Sequence, residues 1–258
     1  MSTFLFDRII FGPVYSRRLG QSLGLNLLPK NSKICTFNCV YCECGWTDST
    51  EGGFVATDDF EQALEQKLLD MRGKNETADA LTFAGNGEPT IHPYFGEITR
   101  ITIRLRDKYM PQADIAVLSN STTLDNPDVF EALKSVEKNI MKLDAGTEET
   151  FRLINQPLSD ISLEQIVSNL QKFEGKLIIQ TLLLKGNKGS ISIDNTTEQE
   201  LKQLGKHLQK IRPKELMLYS IARGTPLESL TQIPHEELQK ASALLSHYIP
   251  DCDIQIFS

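Results

Sequence analysis

Three cysteines, Cys35, Cys39 and Cys42, stand in the order Cys-x3-Cys-x2-Cys within one short polar stretch, Cys35-Thr-Phe-Asn-Cys39-Val-Tyr-Cys42. Thiolates are soft ligands that suit iron–sulfur clusters or zinc. A [4Fe–4S] cluster normally takes four cysteines. Three held close together leave the fourth iron free to bind a small molecule. The other reading of these residues is a zinc site completed by Cys44, although the one-residue gap from Cys42 to Cys44 is tight for a single tetrahedral ion. Cys44 is otherwise a bystander or a redox-active thiol, and Cys252 reads as a core cysteine.

A second chemical signal is the turn Gly85-Asn86-Gly87-Glu88-Pro89. Glycine lets backbone approach a ligand closely, Glu88 adds an acceptor, and Pro89 stiffens the turn. Exposed carbonyls at such a turn accept hydrogen bonds from an ammonium group. Taken alone, a Gly-x-Gly turn is a structural feature more often than a site. His92, in Ile91-His92-Pro93, reads as a turn residue before a helix in preference to a catalytic base.

These residues need a frame. Apolar runs at 23–28, 80–84, 115–118, 140–144, 177–183 and 216–220 read as buried strands, with a seventh candidate at 254–257. Helical periodicity covers 94–108, 128–133, 148–154, 163–173, 197–211 and 235–248, and one further helix runs to Met71 with Asp58 or Asp59 as its cap. Alternation of strand and helix predicts a parallel sheet with right-handed crossovers. With too few units for a closed eight-fold barrel, the fold class expected is α/β, an open partial (β/α)6 TIM-like barrel. Ligands in such folds gather at the C-terminal ends of the strands, and the unusual residues lie there. The cysteine loop follows the first strand and the glycine turn the second. Ser119-Asn120 ends the third, suited to a ribose or carboxylate or else to capping the next turn. Lys142 and Asp144 share one side of the fourth, because side chains repeat every second residue. Asp144 is equally placed to cap the helix that begins near Thr147. Arg223 follows the sixth strand, and Arg17 and Arg18 precede the first. Arg223 is a candidate for a substrate carboxylate or phosphate, and Arg17 and Arg18 are placed to close over the site, with a surface ion pair as the ordinary alternative for each.

Composition sets bounds. The 258 residues carry 40% hydrophobic side chains and a formal charge of −7, which fits one domain and speaks against a dedicated nucleic-acid binder. The opening MSTFLFDRII places charges too early for a signal-peptide core, and no apolar run is long enough to span a bilayer, so no membrane association and a cytoplasmic location are expected. Of five cysteines, four lie between positions 35 and 44, which in a cytosolic chain reads as metal binding. Arg100, Arg104 and Lys108, and Lys202, Lys206 and Lys210, form two basic stripes that read as solvated helix faces.

The cysteine spacing, with aromatic Tyr41 before the last cysteine and the loop placed after the first strand, resembles the signature of the radical S-adenosylmethionine (SAM) superfamily. The resemblance covers nearly the whole chain. It implies a [4Fe–4S] cluster on Cys35, Cys39 and Cys42, SAM chelated at the open iron, and an enzyme that makes a 5′-deoxyadenosyl radical to abstract hydrogen from a substrate. It implies flavodoxin or ferredoxin as electron donor. Tyr41 is expected beside the adenine, and Gly85, Asn86, Gly87 and Glu88, a variant of a Gly-Gly-Glu-type motif, at the SAM amino group. Ser119, Asn120, Lys142, Asp144, Gln180 and Ile221 are the further cofactor contacts expected, with Arg17, Arg18 and Arg223 toward substrate. The runs from Phe11 to Gly20 and from Lys142 to Pro157 look like small proteins grouped beside the wyosine tRNA-base synthases. The expectation is therefore one radical SAM domain over 1–258, with 1–22 packing near the cluster site and tRNA as one expected substrate. A peptide- or metabolite-modifying enzyme is the alternative, and a non-catalytic zinc-binding domain the outsider.

Overall fold

The structure is a computed structural model that describes residues 4–258, so residues 1–3 of the N-terminal segment lie outside the described residues. The chain runs β1 (Ile10–Ser16), β2 (Gly20–Leu25), α1 (Thr57–Gly73), β3 (Ala80–Phe83), a 3-10 turn (Pro89–Ile91), α2 (Phe95–Tyr109), β4 (Asp114–Ser119), α3 (Pro127–Lys134) and β5 (Lys138–Lys142). It continues through α4 (Glu148–Ile154), α5 (Leu163–Gln171), β6 (Ile178–Lys188), β7 (Ile191–Asp194), α6 (Glu198–Ile211), β8 (Glu215–Ser220), β9 (Thr231–Gln232), α7 (His235–Ser246) and β10 (Asp253–Phe257).

The main sheet has the order β1-β2-β3-β4-β5-β6-β8-β10. From β2 to β10 every neighbour pairs in parallel. The result is the expected open, partial α/β barrel with one more parallel strand than six, because β10 adds to β8. The strands between the edges are buried on both faces and so read as continuous apolar runs. Helices cover the outside. In α1, Phe60, Leu64, Leu68 and Met71 recur at helical spacing and are buried against the sheet.

Inside the barrel the period of two sets up layers. Leu19, Ala80, Ala116, Ile140, Ile178 and Met217 form a separate apolar cluster that closes the floor. Two residues further along four of those strands stand Leu118, Lys142, Gln180 and Tyr219, all lining the central cavity. Two more along, Asn120, Leu182 and Ile221 line it nearer the mouth. Moving up each strand therefore turns an apolar floor into a mixed chamber.

Three features differ from the sequence expectation. β1 forms an antiparallel hairpin with β2, interrupted between Phe11 and Val14. Gly12 and Pro13 sit at that interruption and mask the strand in the sequence. β6 runs well past Leu183, and its polar extension is held by β7 and β9 in a small antiparallel sheet. Ala56, not Asp58 or Asp59, occupies the cap of α1, with the two aspartates in the first turn, where the helix dipole favours them. Among the described residues, no helix is long and apolar enough to cross a membrane.

Because Ile140 is buried among the apolar side chains of the floor, Ile140→Ala is expected to cost about 2–5 kcal/mol of stability. Urea unfolding of the anaerobically purified protein measures this. A cost near zero would mean that the layer is loosely packed.

Candidate active site

The cysteine loop leaves the end of β2 and is pinned on two sides. Ile34 N donates to Asn86 O at 2.9 Å and Glu88 N to Ile34 O at 3.1 Å, which fastens the loop to the glycine turn. Val40 N donates to Ile154 O at 3.0 Å and Asn38 N to Asn155 O at 3.0 Å, which fastens it to the end of α4. Cys35 and Cys39 are buried and Cys42 half-buried, and all three line one cavity of about 290 Å³ at the mouth of the barrel. Their sulfurs face hydrogen-bond donors. Phe37 N and Asn120 Nδ2 reach Cys35 Sγ at 3.4 and 3.6 Å, and Asn155 Nδ2 reaches Cys39 Sγ at 3.5 Å.

Lys33 lines the same cavity at 2% exposure, with Nζ donating to Gly45 O at 2.8 Å. Among the described residues its ammonium enters no ion pair with a carboxylate. Burial opposes its charge, yet its charge interactions with Cys42, Cys35 and Cys39 hold its pKa above the ordinary lysine value. Burial pushes the Cys35 thiol up to about 12 and also raises Cys39. Cys42 is pulled down to about 5 by a hydrogen bond from Cys44, with help from Lys33. The single S–H of Cys44 has Gly85 O at 3.2 Å as its alternative acceptor, and Cys44 does not line the cavity.

This donor set fits an iron–sulfur cluster. Three soft sulfurs surround one space, hydrogen bonds point at two of them, and a buried cation awaits a net negative group. Zinc would draw its ligands to about 2.0–2.3 Å from a single point. Among the described residues no three His, Cys, Asp or Glu side chains gather in that way.

The glycine turn divides its labour. Gly87 has φ +137°, and a Cβ there would collide with the Ile34 carbonyl, so only glycine lets the turn lie against the cysteine loop. Gly85, Gly87 and Glu88 line the cavity. Asn86, expected at the cofactor, does not. Its side chain is fully buried and bonds Phe6 N, Phe6 O and Pro29 O at 2.8, 2.9 and 2.7 Å, stapling the N-terminal segment to the loop. Glu88 is raised in pKa by burial, and its oxygens accept from Thr90 N, Thr90 Oγ1 and Asn120 N at 3.2, 2.5 and 2.6 Å. Ser119 and Asn120 line the cavity, and both cap the turn that follows, through Ser121 N and Thr122 N. His92 is a turn residue: Nδ1 accepts from Tyr94 N at 3.1 Å, so Nε2 carries the proton toward Val55 O.

A polar chain links barrel to loop. Lys142 Nζ donates to the Tyr41 hydroxyl at 2.7 Å, and that hydroxyl donates to Asp144 Oδ2. Asp144 also accepts from Asn155 Nδ2 at 2.8 Å and Leu182 N at 2.9 Å. Asp144 thus lies behind the cavity wall as a positioning residue, and it is Thr147 that caps α4. The charge of Asp144 outweighs burial and holds Lys142 above the ordinary lysine pKa. Gln180 and Ile221 line the cavity, as do Arg17, Arg18 and Arg223. Arg223 is exposed and paired with Glu43 at 2.9 Å. Both basic stripes are solvated faces, with Arg104, Lys108 and Lys202 paired to Glu61, Glu65 and Glu198.

Sequence reasoning passed over Lys33 and Tyr219 and gave Asn155 no role. A cation two residues before Cys35 was a usable signal for Lys33. Nothing local marks Asn155, which acts across the fold.

The sequence model of the radical SAM superfamily matches residues 32–187. A protein of Brachyspira hyodysenteriae named GTPase Obg is 30% identical over 254 residues, which is 96% of this chain and 34% of that protein. The chain therefore spans about a third of that relative's length. A UPF0026 protein of Synechocystis sp. is 34% identical over 226 residues, 85% of this chain and 77% of that protein. A solved radical SAM methyltransferase from Sphaerobacter thermophilus shares the fold, with TM-score 0.66 at 12% identity, covering 92% of this chain and 65% of that one.

Replacing Lys33 by Met removes the buried cation and is expected to lower the iron retained after anaerobic reconstitution and gel filtration several-fold, because an uncompensated buried charge costs several kcal/mol. Iron content equal to the unmodified chain would contradict this role.

Proposed function

The chain belongs to the radical SAM superfamily of enzymes, and from that premise we propose that Cys35, Cys39 and Cys42 hold a [4Fe–4S] cluster at which SAM is bound and reductively cleaved. The observation that supports this reading best is the meeting of three thiols and one buried ammonium, Lys33, at a single cavity mouth. A cluster held there would supply one-electron reduction of SAM, drawing on an external flavodoxin- or ferredoxin-type donor, and so would make hydrogen abstraction from a substrate available.

The chain's own residues prepare the chamber. Lys33 offsets the negative charge gathered at the sulfurs. The turn at Gly85 and Gly87 presents backbone where an ammonium group would dock, while Asn86 and Glu88 keep that turn in place. Tyr41 is held by Lys142 and Asp144, so it cannot swing away from the mouth. The apolar floor keeps water from reaching a reactive intermediate from below.

Substrate follows from the space available. A tRNA base is the reading carried by the resemblance to the wyosine group. Against it, two charges of the α2 stripe are neutralised by α1, and the net charge is −7. A small molecule or peptide side chain housed in the barrel is the reading the geometry supports better.

Cys39→Ala, purified anaerobically and reduced with dithionite, is expected to form no 5′-deoxyadenosine, whereas the unmodified chain forms it. Retained cleavage would remove Cys39 from the ligand set. In a filter-binding assay the protein is expected to hold tRNA weakly at all salt concentrations. Tight binding that falls about 10³-fold or more between 50 and 200 mM salt would restore the RNA reading.

A further inference from the structure

We propose that Arg18, with Gln180, forms an oxyanion subsite on the floor side of the barrel that holds a carboxylate or phosphate of a small substrate. The inference rests on the reading of the cavity as a substrate chamber and names what that substrate must carry.

Arg18 sits in the turn between β1 and β2, where its own N–H and that of Leu19 donate to Ser16 Oγ at 3.3 and 3.2 Å. Leu19 belongs to the apolar floor, and Arg18 lines the cavity beside it. Arg18 Nη1 donates to Gln180 Oε1 at 2.6 Å, and the guanidinium carbon lies 4.5 Å from the centre of the Tyr219 ring. These contacts fix its orientation but do not neutralise it. Among the described residues no carboxylate pairs with Arg18. Its neighbour in the same layer is a second cation, Lys142, whose strand places it directly opposite Gln180. Lys142 is satisfied by the Tyr41 hydroxyl and by Asp144 at 3.6 Å. One positive charge in this layer is therefore left over.

Gln180 supplies the second observation. It is 3% exposed and lines the cavity, and its Oε1 accepts from Arg18 and, at 3.5 Å, from Tyr219 Oη. Its Nε2 group has no protein partner among the described residues. The amide donor of Gln180 and the planar guanidinium of Arg18 thus belong to side chains that line the same cavity. Guanidinium nitrogens match the two oxygens of a carboxylate or phosphate. Arg18 enters from the turn before β2, at the opposite end of that strand from the cysteine loop, and the anion proposed here is a group of the substrate, distinct from SAM. The closed floor admits only the end of a small molecule.

The test is calorimetric titration of sodium malonate and, separately, inorganic phosphate into the anaerobically reconstituted protein saturated with SAM, at constant ionic strength. One of the two probes is expected to saturate at one per chain, and which one does so distinguishes carboxylate from phosphate substrates. Arg18→Gln is expected to weaken that binding about tenfold or more. Gln180→Glu, which sets a carboxylate against the guanidinium, should do the same, while Arg18→Lys keeps part of the affinity and Arg100→Gln on exposed α2 keeps all of it. Iron content and SAM retention are read on the same samples. Their loss in the unmodified chain would count against the proposed function, whereas the anion titrations decide the subsite. Saturation of the SAM-loaded protein by neither probe, or unchanged affinity in Arg18→Gln, would overturn the proposal.

Discussion

A lysine ammonium buried beside three cysteine sulfurs, in no ion pair with a carboxylate among the described residues, is the constraint around which the rest of the molecule is arranged. Taking an ammonium out of water costs several kcal/mol even after relaxation. One backbone carbonyl, that of Gly45, cannot offset that cost. The charge of Lys33 is accommodated only if the sulfurs opposite it are anionic, and the sulfurs stay anionic most easily when they bind metal. The loop that carries both partners has no regular secondary structure between Leu25 and Thr57. It keeps its shape through backbone bonds to the glycine turn on one side and to the end of α4 on the other.

Those two anchors explain why residues far apart in sequence act together. Asn155 bonds both Cys39 Sγ and Asp144, and Asp144 holds Tyr41, which in turn receives Lys142. The cysteine loop is thereby tied to β5 and β6 through side chains as well as to α4 through backbone. Asn86 extends the same framework outward, fixing Phe6 and Pro29 to the glycine turn. The walls of the chamber are set by strand periodicity. Each step of two residues up β4, β5, β6 and β8 exchanges one floor residue for one that lines the cavity.

Much of this was legible in the sequence, for identifiable reasons. The parallel strands were readable because burial on both faces forces apolar runs, and the cysteines because their spacing is local. β1 was not readable, since Gly12 and Pro13 interrupt it, and the far half of β6 was not, since Lys185, Gly186, Asn187 and Lys188 have the composition of a loop. Within the site, residue type showed which side chains had chemistry to offer but not which were already engaged. Asn86 and Asp144 look like ligand contacts in sequence, yet each is consumed by protein partners. Lys33 shows the reverse. Its type is common, and its importance appears only when burial without a counter-charge is seen.

The account turns on three sulfurs leaving one iron of a cluster open to SAM. Mössbauer spectroscopy of protein reconstituted with ⁵⁷Fe, before and after addition of SAM, tests this most directly. The account predicts a four-iron cluster in which a single iron site changes its isomer shift and quadrupole splitting when SAM binds, while the other three do not. A spectrum that SAM leaves unaltered, or iron held only as isolated ions, would contradict it.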